Sequence, residues 1–265
     1  MIPKIIHYCW FGGNPLPALA VKCIESWKKY CPDYEIKEWN ESNFDINYNA
    51  YTKEAYMSKK WAFVSDVARL YVIYNHGGIY MDTDVEVIKP LDDFLNNHAF
   101  SGFELPEFVS TGIIGCEQNF KLIKEFLGYY DCRKFITEDG NLDLTTNVKI
   151  ITEIMSNYGL IKNNNKQTIK GFELYPTEYF CPKDYSSGKL RITANTFTIH
   201  HFCASWQTDE QHKAKKRLER YVKIFGPKLG IRLDSKIKNA KYIYKVAGIN
   251  GVIAKIKESS RKESK

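Results

Sequence analysis

Two carboxylates stand one residue apart after a short apolar run: Ile79-Tyr80-Met81 leads into Asp82-Thr83-Asp84. Oxygen ligands spaced this way can share one divalent cation, and Mn²⁺ or Mg²⁺ prefers such oxygens together with those of phosphate. A cation held there would neutralise charge developing on a departing diphosphate. The plainer alternative is a solvated acidic turn. The position at the end of a buried strand, where open α/β sheets bind ligands, favours the cation.

A second pair, Asp66 and Arg69, sits three residues apart on a helical stretch, with Ser65 beside it. One reading is an exposed ion pair on the wet face of an amphipathic helix. The other has Asp66 accepting hydrogen bonds from sugar hydroxyls while Arg69 bonds the sugar or a phosphate. Further along, His200-His201 is followed by Ser205-Trp206. One imidazole could complete a metal shell, and Trp206 could donate its indole N–H to a phosphate oxygen. Strand alternation sends the two histidines opposite ways, and His201 is taken as the one facing the metal. Trp10 closes the first apolar run before Gly12-Gly13; it is either core or a ring for a nucleobase to stack on.

These residues need a scaffold. Lys4 to Phe11 reads as a buried strand ended by Gly12-Gly13-Asn14-Pro15, Leu16 to Trp27 repeats apolar residues at helical spacing, and Tyr34 to Trp39 alternates as a strand. That order opens a βαβ unit and a mostly parallel sheet. The strongest helix runs from Trp61 to Asn75, with Val64, Val67, Ala68, Tyr71 and Tyr74 on one face and Gly77-Gly78 as its stop. Beyond Pro90 come a short helix, a strand near Ala99 to Glu104, an apolar run Val109 to Gly115, helices near Phe120 to Tyr130 and Thr146 to Tyr158, and a β-prone run Thr196 to His201.

The chain of 265 residues, 44% hydrophobic and 14% aromatic, is that of a folded α/β protein. Its seven cysteines are odd in number and contain no CxxC pair, which favours reduced thiols over disulfides or zinc. The start does not read as a signal peptide, and no apolar run is long enough to span a bilayer, so a cytoplasmic protein is expected. Charge is uneven. Residues 207–265 hold 17 Lys and Arg against 6 Asp and Glu, an excess of +11, leaving 21 against 25, or −4, for residues 1–206. Two domains are therefore expected: a catalytic domain at 1–206 and a basic helical extension at 207–265.

The stretch WAFVSDVARLYVIYNHGGIYMDTDVEV, residues 61–87, closely resembles the sugar-binding DXD region of family 32 glycosyltransferases, which include bacterial capsule enzymes and fungal mannosyltransferases. It is similar too to the catalytic core of large clostridial glucosylating toxins. IIHYCWFGG resembles the family's first nucleotide-binding strand, and HHFCASW its late metal and phosphate segment. The resemblance implies a GT-A fold and a UDP-sugar donor, with Mn²⁺ or Mg²⁺ and retention of anomeric configuration. By position, His7, Trp10 and Gly12 would line the nucleotide. Ser65, Asp66 and Arg69 would hold the sugar. Asp82, Thr83 and Asp84 would serve metal, ribose and diphosphate, and His201, Ser205 and Trp206 would close over the phosphates. Where relatives carry an Asn near the reacting centre, this chain reads Val109-Ser110-Thr111-Gly112.

The expected acceptor is a glycan or lipid-linked saccharide in bacterial polysaccharide synthesis. The basic tail interleaves Arg217, Arg220, Lys223, Lys228, Arg232, Lys236, Lys238, Lys241 and Lys245 with Tyr221, Phe225, Ile237, Tyr242, Ile243 and Val246. That pattern suits an anionic membrane surface at the inner face of the plasma membrane. Rival readings are an effector glycosylating a protein and, in another class, a nucleic-acid-binding protein using the tail; no nucleic-acid partner is expected.

Overall fold

The structure is a computed structural model that describes residues 1–185, 187–203, 216–218, 220–226 and 229–237. It opens with strand β1 (Ile5–Cys9), helix α1 (Ala18–Tyr30) and strand β2 (Glu35–Trp39). Then come α2 (Ala50–Met57), α3 (Trp61–His76), β3 (Gly78–Met81) and β4 (Val85–Val87). A 3₁₀ turn at Asp92–Phe94 leads to β5 (Ala99–Leu105), β6 (Phe108–Val109), β7 (Ile113–Cys116), α4 (Lys121–Gly128) and α5 (Asn147–Ser156). The last elements are β8 (Gln167–Ile169), β9 (Phe172–Tyr175), α6 (Thr177–Phe180) and β10 (Thr198–His200).

The main sheet has the order β2-β1-β3-β7-β5-β9-β8, with β6 added to β5. Strands β2, β1, β3, β5 and β9 share one direction, while β7, β8 and β6 oppose them. This is a mixed, mostly parallel sheet flanked by helices, as the resemblance implies. Alternation assigns its faces. Cys9 and Phe103 join the apolar cluster built on α3, α4 and α5, whereas Tyr8 meets Trp27 of α1 edge-on and Gly102 lies under Phe180 of α6. A two-stranded sheet of β4 and β10 stands apart, pairing His200 with Val85 and Thr198 with Val87.

Helix α3 is enclosed nearly all round: Phe63, Val64, Val67, Ala68, Leu70, Val72 and Ile73 are buried. Its end is sharp because Gly77 and Gly78 both take positive φ, +65° and +95°. A Cβ on Gly78 would stand 2.7 Å from the Ile5 carbonyl oxygen. Only glycines let the chain reverse there and run straight into β3 beside β1.

Helix α2 and the β8–β9 hairpin are elements that the sequence pattern does not announce. Asn49 starts α2 by accepting a hydrogen bond from the Thr52 N–H at 2.8 Å. Among the described residues the cysteines form no disulfide. Among the described residues, no helix is long and apolar enough to cross a membrane.

The chain divides into two compact units, Met1–Asp184 with Lys189–Trp206, and Tyr185–Gly188 with Gln207–Lys265. In the second, residues 216–218, 220–226 and 229–237 are helical, and Arg217 pairs with buried Asp234 at 2.9 Å. Lys228, Lys238, Lys241, Tyr242, Ile243, Lys245 and Val246 of the basic pattern lie outside the described residues.

Candidate active site

The acidic turn emerges where β3 ends. Asp82 donates its backbone N–H to the Gly112 carbonyl at 2.8 Å, which fixes the turn against the strip that precedes β7. Its carboxylate accepts a hydrogen bond from the Tyr80 hydroxyl at 2.8 Å and lies 3.1 Å from Arg69. Arg69 also reaches Asp66 at 3.1 Å and donates to the Thr111 carbonyl at 2.8 Å, with its guanidinium 4.7 Å from the Tyr80 ring centroid.

The Asp66–Arg69 pair is therefore not a surface pair. Asp66 is 8% exposed and Arg69 5%, and α3 carries them inward at the sheet end. Burial pushes the Asp66 carboxyl up to about 6, against the pull of the neighbouring guanidinium. Asn147, first residue of α5, holds this part of α3 by donating its side-chain amide to the Asp66 carbonyl at 2.8 Å.

Asp84 binds the other arm of the site. Its carboxylate accepts the Cys203 N–H at 2.6 Å and lies 3.3 Å from His200 Nε2. Burial works to raise Asp84, but His200 prevails and holds it well below the usual carboxylate range. The same pairing, against burial, lifts the imidazole well above its ordinary value.

Here the structure corrects one expectation: His200, not His201, faces the carboxylates. The two do point opposite ways, but β10 pairs with β4 in the register that turns His201 outward, where its Nε2 meets Glu86 at 2.8 Å. His7 is a second correction. It is 0% exposed, its Nε2 bonds the Gly77 carbonyl at 2.9 Å and its Nδ1 accepts the Trp39 indole N–H at 3.0 Å. With both nitrogens engaged, it locks β1 to β2 and to the end of α3 and cannot line a nucleotide.

Trp10 is half-buried and donates its indole N–H to Asn14 at 2.6 Å, and Gly12 donates its N–H to Glu41 at 2.7 Å. The Ser65 hydroxyl bonds the Trp61 carbonyl of its own helix, and Thr83 sits half-buried between the two aspartates. Ser205 and Trp206 lie outside the described residues.

Asp82, Asp84 and His200 offer one ligand atom each within 4.8 Å of one another. The buried His200 Nδ1 has no hydrogen-bond partner among the described residues. Gly112 lets the His200 ring pack close, since a Cβ there would stand 2.9 Å from the ring and 3.4 Å from Asp82 Oδ2. Two carboxylates and an imidazole so close together fit a divalent cation.

Residues 17–101 match the family described as "Glycosyltransferase sugar-binding region containing DXD motif". Asp66, Arg69, Asp82 and Asp84 fall inside it, while Trp10 and His200 fall outside. An inositol phosphoceramide mannosyltransferase of Schizosaccharomyces pombe is 30% identical over 125 residues, 43% of this chain and 33% of that protein. The chain thus matches about a third of that relative's length. An uncharacterised glycosyltransferase of Acanthamoeba polyphaga mimivirus is 26% identical over 222 residues, 78% of this chain and 84% of that one. Among solved structures, the PaToxG glycosyltransferase superposes with a TM-score of 0.45 at 18% identity, covering 60% of this chain and 72% of that chain.

Sequence reasoning missed three contributors. Asn147 braces α3, Gly112 makes room for the His200 ring, and Glu104 at the end of β5 is close enough to feel the charges of His200, Asp82, Asp84 and Arg69. Only Glu104 carried a usable signal: alternation along Ala99–Leu105 puts it on the face of Phe100 and Gly102, away from the Phe103 core.

Proposed function

We propose that the protein is a metal-dependent, retaining glycosyltransferase that moves a hexose or N-acetylhexosamine from a UDP-sugar to a glycan or lipid-linked saccharide in bacterial polysaccharide synthesis. The observation that carries this reading is the meeting of Asp66, Arg69, Asp82, Asp84 and His200 at one edge of the sheet, four of them within the DXD region.

Asp82, Asp84 and His200 would hold Mn²⁺ or Mg²⁺. When bound, such an ion offsets the diphosphate's charge as the bond to the anomeric carbon breaks. Arg69 has a second task. Fixed by Asp66, Asp82 and the Thr111 carbonyl, its guanidinium is pre-oriented beside the sugar or phosphate and loses little entropy when a substrate arrives. Asp66 accepts hydrogen bonds from sugar hydroxyls, and Trp10 stacks on the base. Ser65 and Thr83 line the donor. Retention follows from front-face attack, in which the departing diphosphate takes the acceptor's proton and the protein supplies positioning and electrostatics.

The second unit supports a place at the cytoplasmic face of an anionic membrane. Its described helices expose Ile224, Phe225, Leu229 and Ile231 among exposed Arg220, Lys223, Arg232 and Lys236.

Thermal unfolding with Mn²⁺ and a panel of UDP-glucose, UDP-galactose, their N-acetylamino forms and GDP-mannose tests the reading; the last is included because a relative is a mannosyltransferase. At least one UDP-sugar is expected to raise the melting temperature only when metal is present, and to be consumed. If none stabilises the protein and none is consumed, the reading fails.

A further inference from the structure

Glu104 is a half-buried acidic side chain with no hydrogen bond or ion pair among the described residues. Topology puts it at the reacting edge. Strands β3 and β5 both run opposite to β7, so Asp82 after β3 and Glu104 near the end of β5 leave the sheet on the same side. The strip Ser110-Thr111-Gly112 spans the gap between them: Gly112 accepts from Asp82, and Ser110 donates to the Gly102 carbonyl at 2.8 Å.

Glu104 approaches from a different direction than the Asp66–Arg69 pair. Ala99 and Phe103 face the cluster that α3 builds, while Gly102 and hence Glu104 face Phe180 and, beyond it, Cys181 and His200. The pairing of β5 with β6 shifts register between Phe103 and Leu105. Asp66 and Arg69 thus stand on the α3 side of the acidic turn, and Glu104 on the α6 and β10 side.

We infer that Glu104 receives a hydrogen bond from a hydroxyl of the saccharide acceptor and so positions the attacking oxygen. The inference rests on the proposed transfer reaction. If the Asp66–Arg69 side takes the donor sugar, the incoming hydroxyl must still lie next to the diphosphate, hence next to the Asp82, Asp84 and His200 centre. Among the described residues, Glu104 is the carboxyl group there that is left without a donor. A partly enclosed carboxylate without a partner is costly, and a sugar hydroxyl supplies the missing hydrogen bond. Glu104 takes no proton in the reaction; that proton goes to the departing diphosphate.

Glu104→Ala and the near-isosteric Glu104→Gln separate this role from others, with melting temperatures confirming that each variant folds. With Mn²⁺, the best UDP-sugar and octyl hexosides as acceptors, the ratio of transfer to donor hydrolysis is expected to fall at least about tenfold in Glu104→Ala. Acceptor KM should rise by more than donor KM, Glu104→Gln should lose less than Glu104→Ala, and the donor-induced thermal shift should persist in both. Hydrolysis and transfer falling in parallel, with loss of the donor-induced shift, would place Glu104 on the donor or cation side and overturn the inference. Unchanged transfer would overturn it too. A wild-type chain that neither hydrolyses nor transfers any sugar removes the transferase reading itself, a failure told apart because it precedes the variants.

Discussion

His7 on β1 and His200 on β10 are both buried, yet they do opposite things. His7 has a partner for each ring nitrogen, one on β2 and one at the end of α3. His200 has Asp84 on one nitrogen, while the other lies against Gly112 and makes no hydrogen bond within distance and angle limits among the described residues. Burial does not separate a structural histidine from a ligand. The partners do: the proposed ligand sits beside two carboxylates, the structural one between an indole and a carbonyl.

Variants can break that contrast. Asp84→Asn should cost most, lowering sugar transfer by about a thousandfold as the cation loses a charged ligand, read from initial rates across Mn²⁺ concentrations. Next comes His7→Ala, which strands the Trp39 N–H and the Gly77 carbonyl and should destabilise the fold by about 3 kcal/mol in urea titration. It should leave the Mn²⁺-dependent thermal shift intact. His200→Ala should do the reverse, weakening Mn²⁺ binding by about 10- to 100-fold with little change in the melting temperature of the metal-free protein. If His7→Ala removes the metal response, or His200→Ala spares it, the distinction drawn from their partners is wrong.

Asp66→Asn should cost activity yet raise stability at neutral pH by about 1–3 kcal/mol. In the folded chain the Asp66 carboxyl keeps its proton to about pH 6, against an ordinary value of 3.8. The folded state therefore binds more protons than the unfolded one across that window, and stability falls as pH rises through it. The variant should flatten this slope in melting curves taken from pH 4 to 7. The smallest effect is expected from His201→Gln, which loses only a partly exposed contact with Glu86 worth about 1 kcal/mol or less. A larger fall in metal response there than in His200→Ala would restore His201 as the ligand.

Much of this scaffold was legible because it is written locally. The stripe Val64, Val67, Ala68 and the Gly77-Gly78 stop define α3 and the start of β3, and this local pattern is enough to set Asp82 and Asp84 at a strand end. What failed was phase. Alternation correctly separates His200 from His201, but which one turns inward depends on how β10 pairs with β4, a contact between distant parts of the chain. The burial of Asp66 and Arg69 was equally hidden, since a charged pair at helical spacing looks the same whether water or Asp82 waits beside it. Helix α2 and the β8–β9 hairpin escaped because elements so short carry too few periods to be read.

Three residues of β10 pair with three of β4, and through them the histidine reaches an acidic turn made much earlier in the chain. A nascent polypeptide shows Asp82 and Asp84 to the cell long before His200 has left the ribosome. A product cut short ahead of Thr198 keeps the acidic turn and lacks the imidazole that closes it. If the proposed cation site is right, it is therefore completed only when His200 has been made.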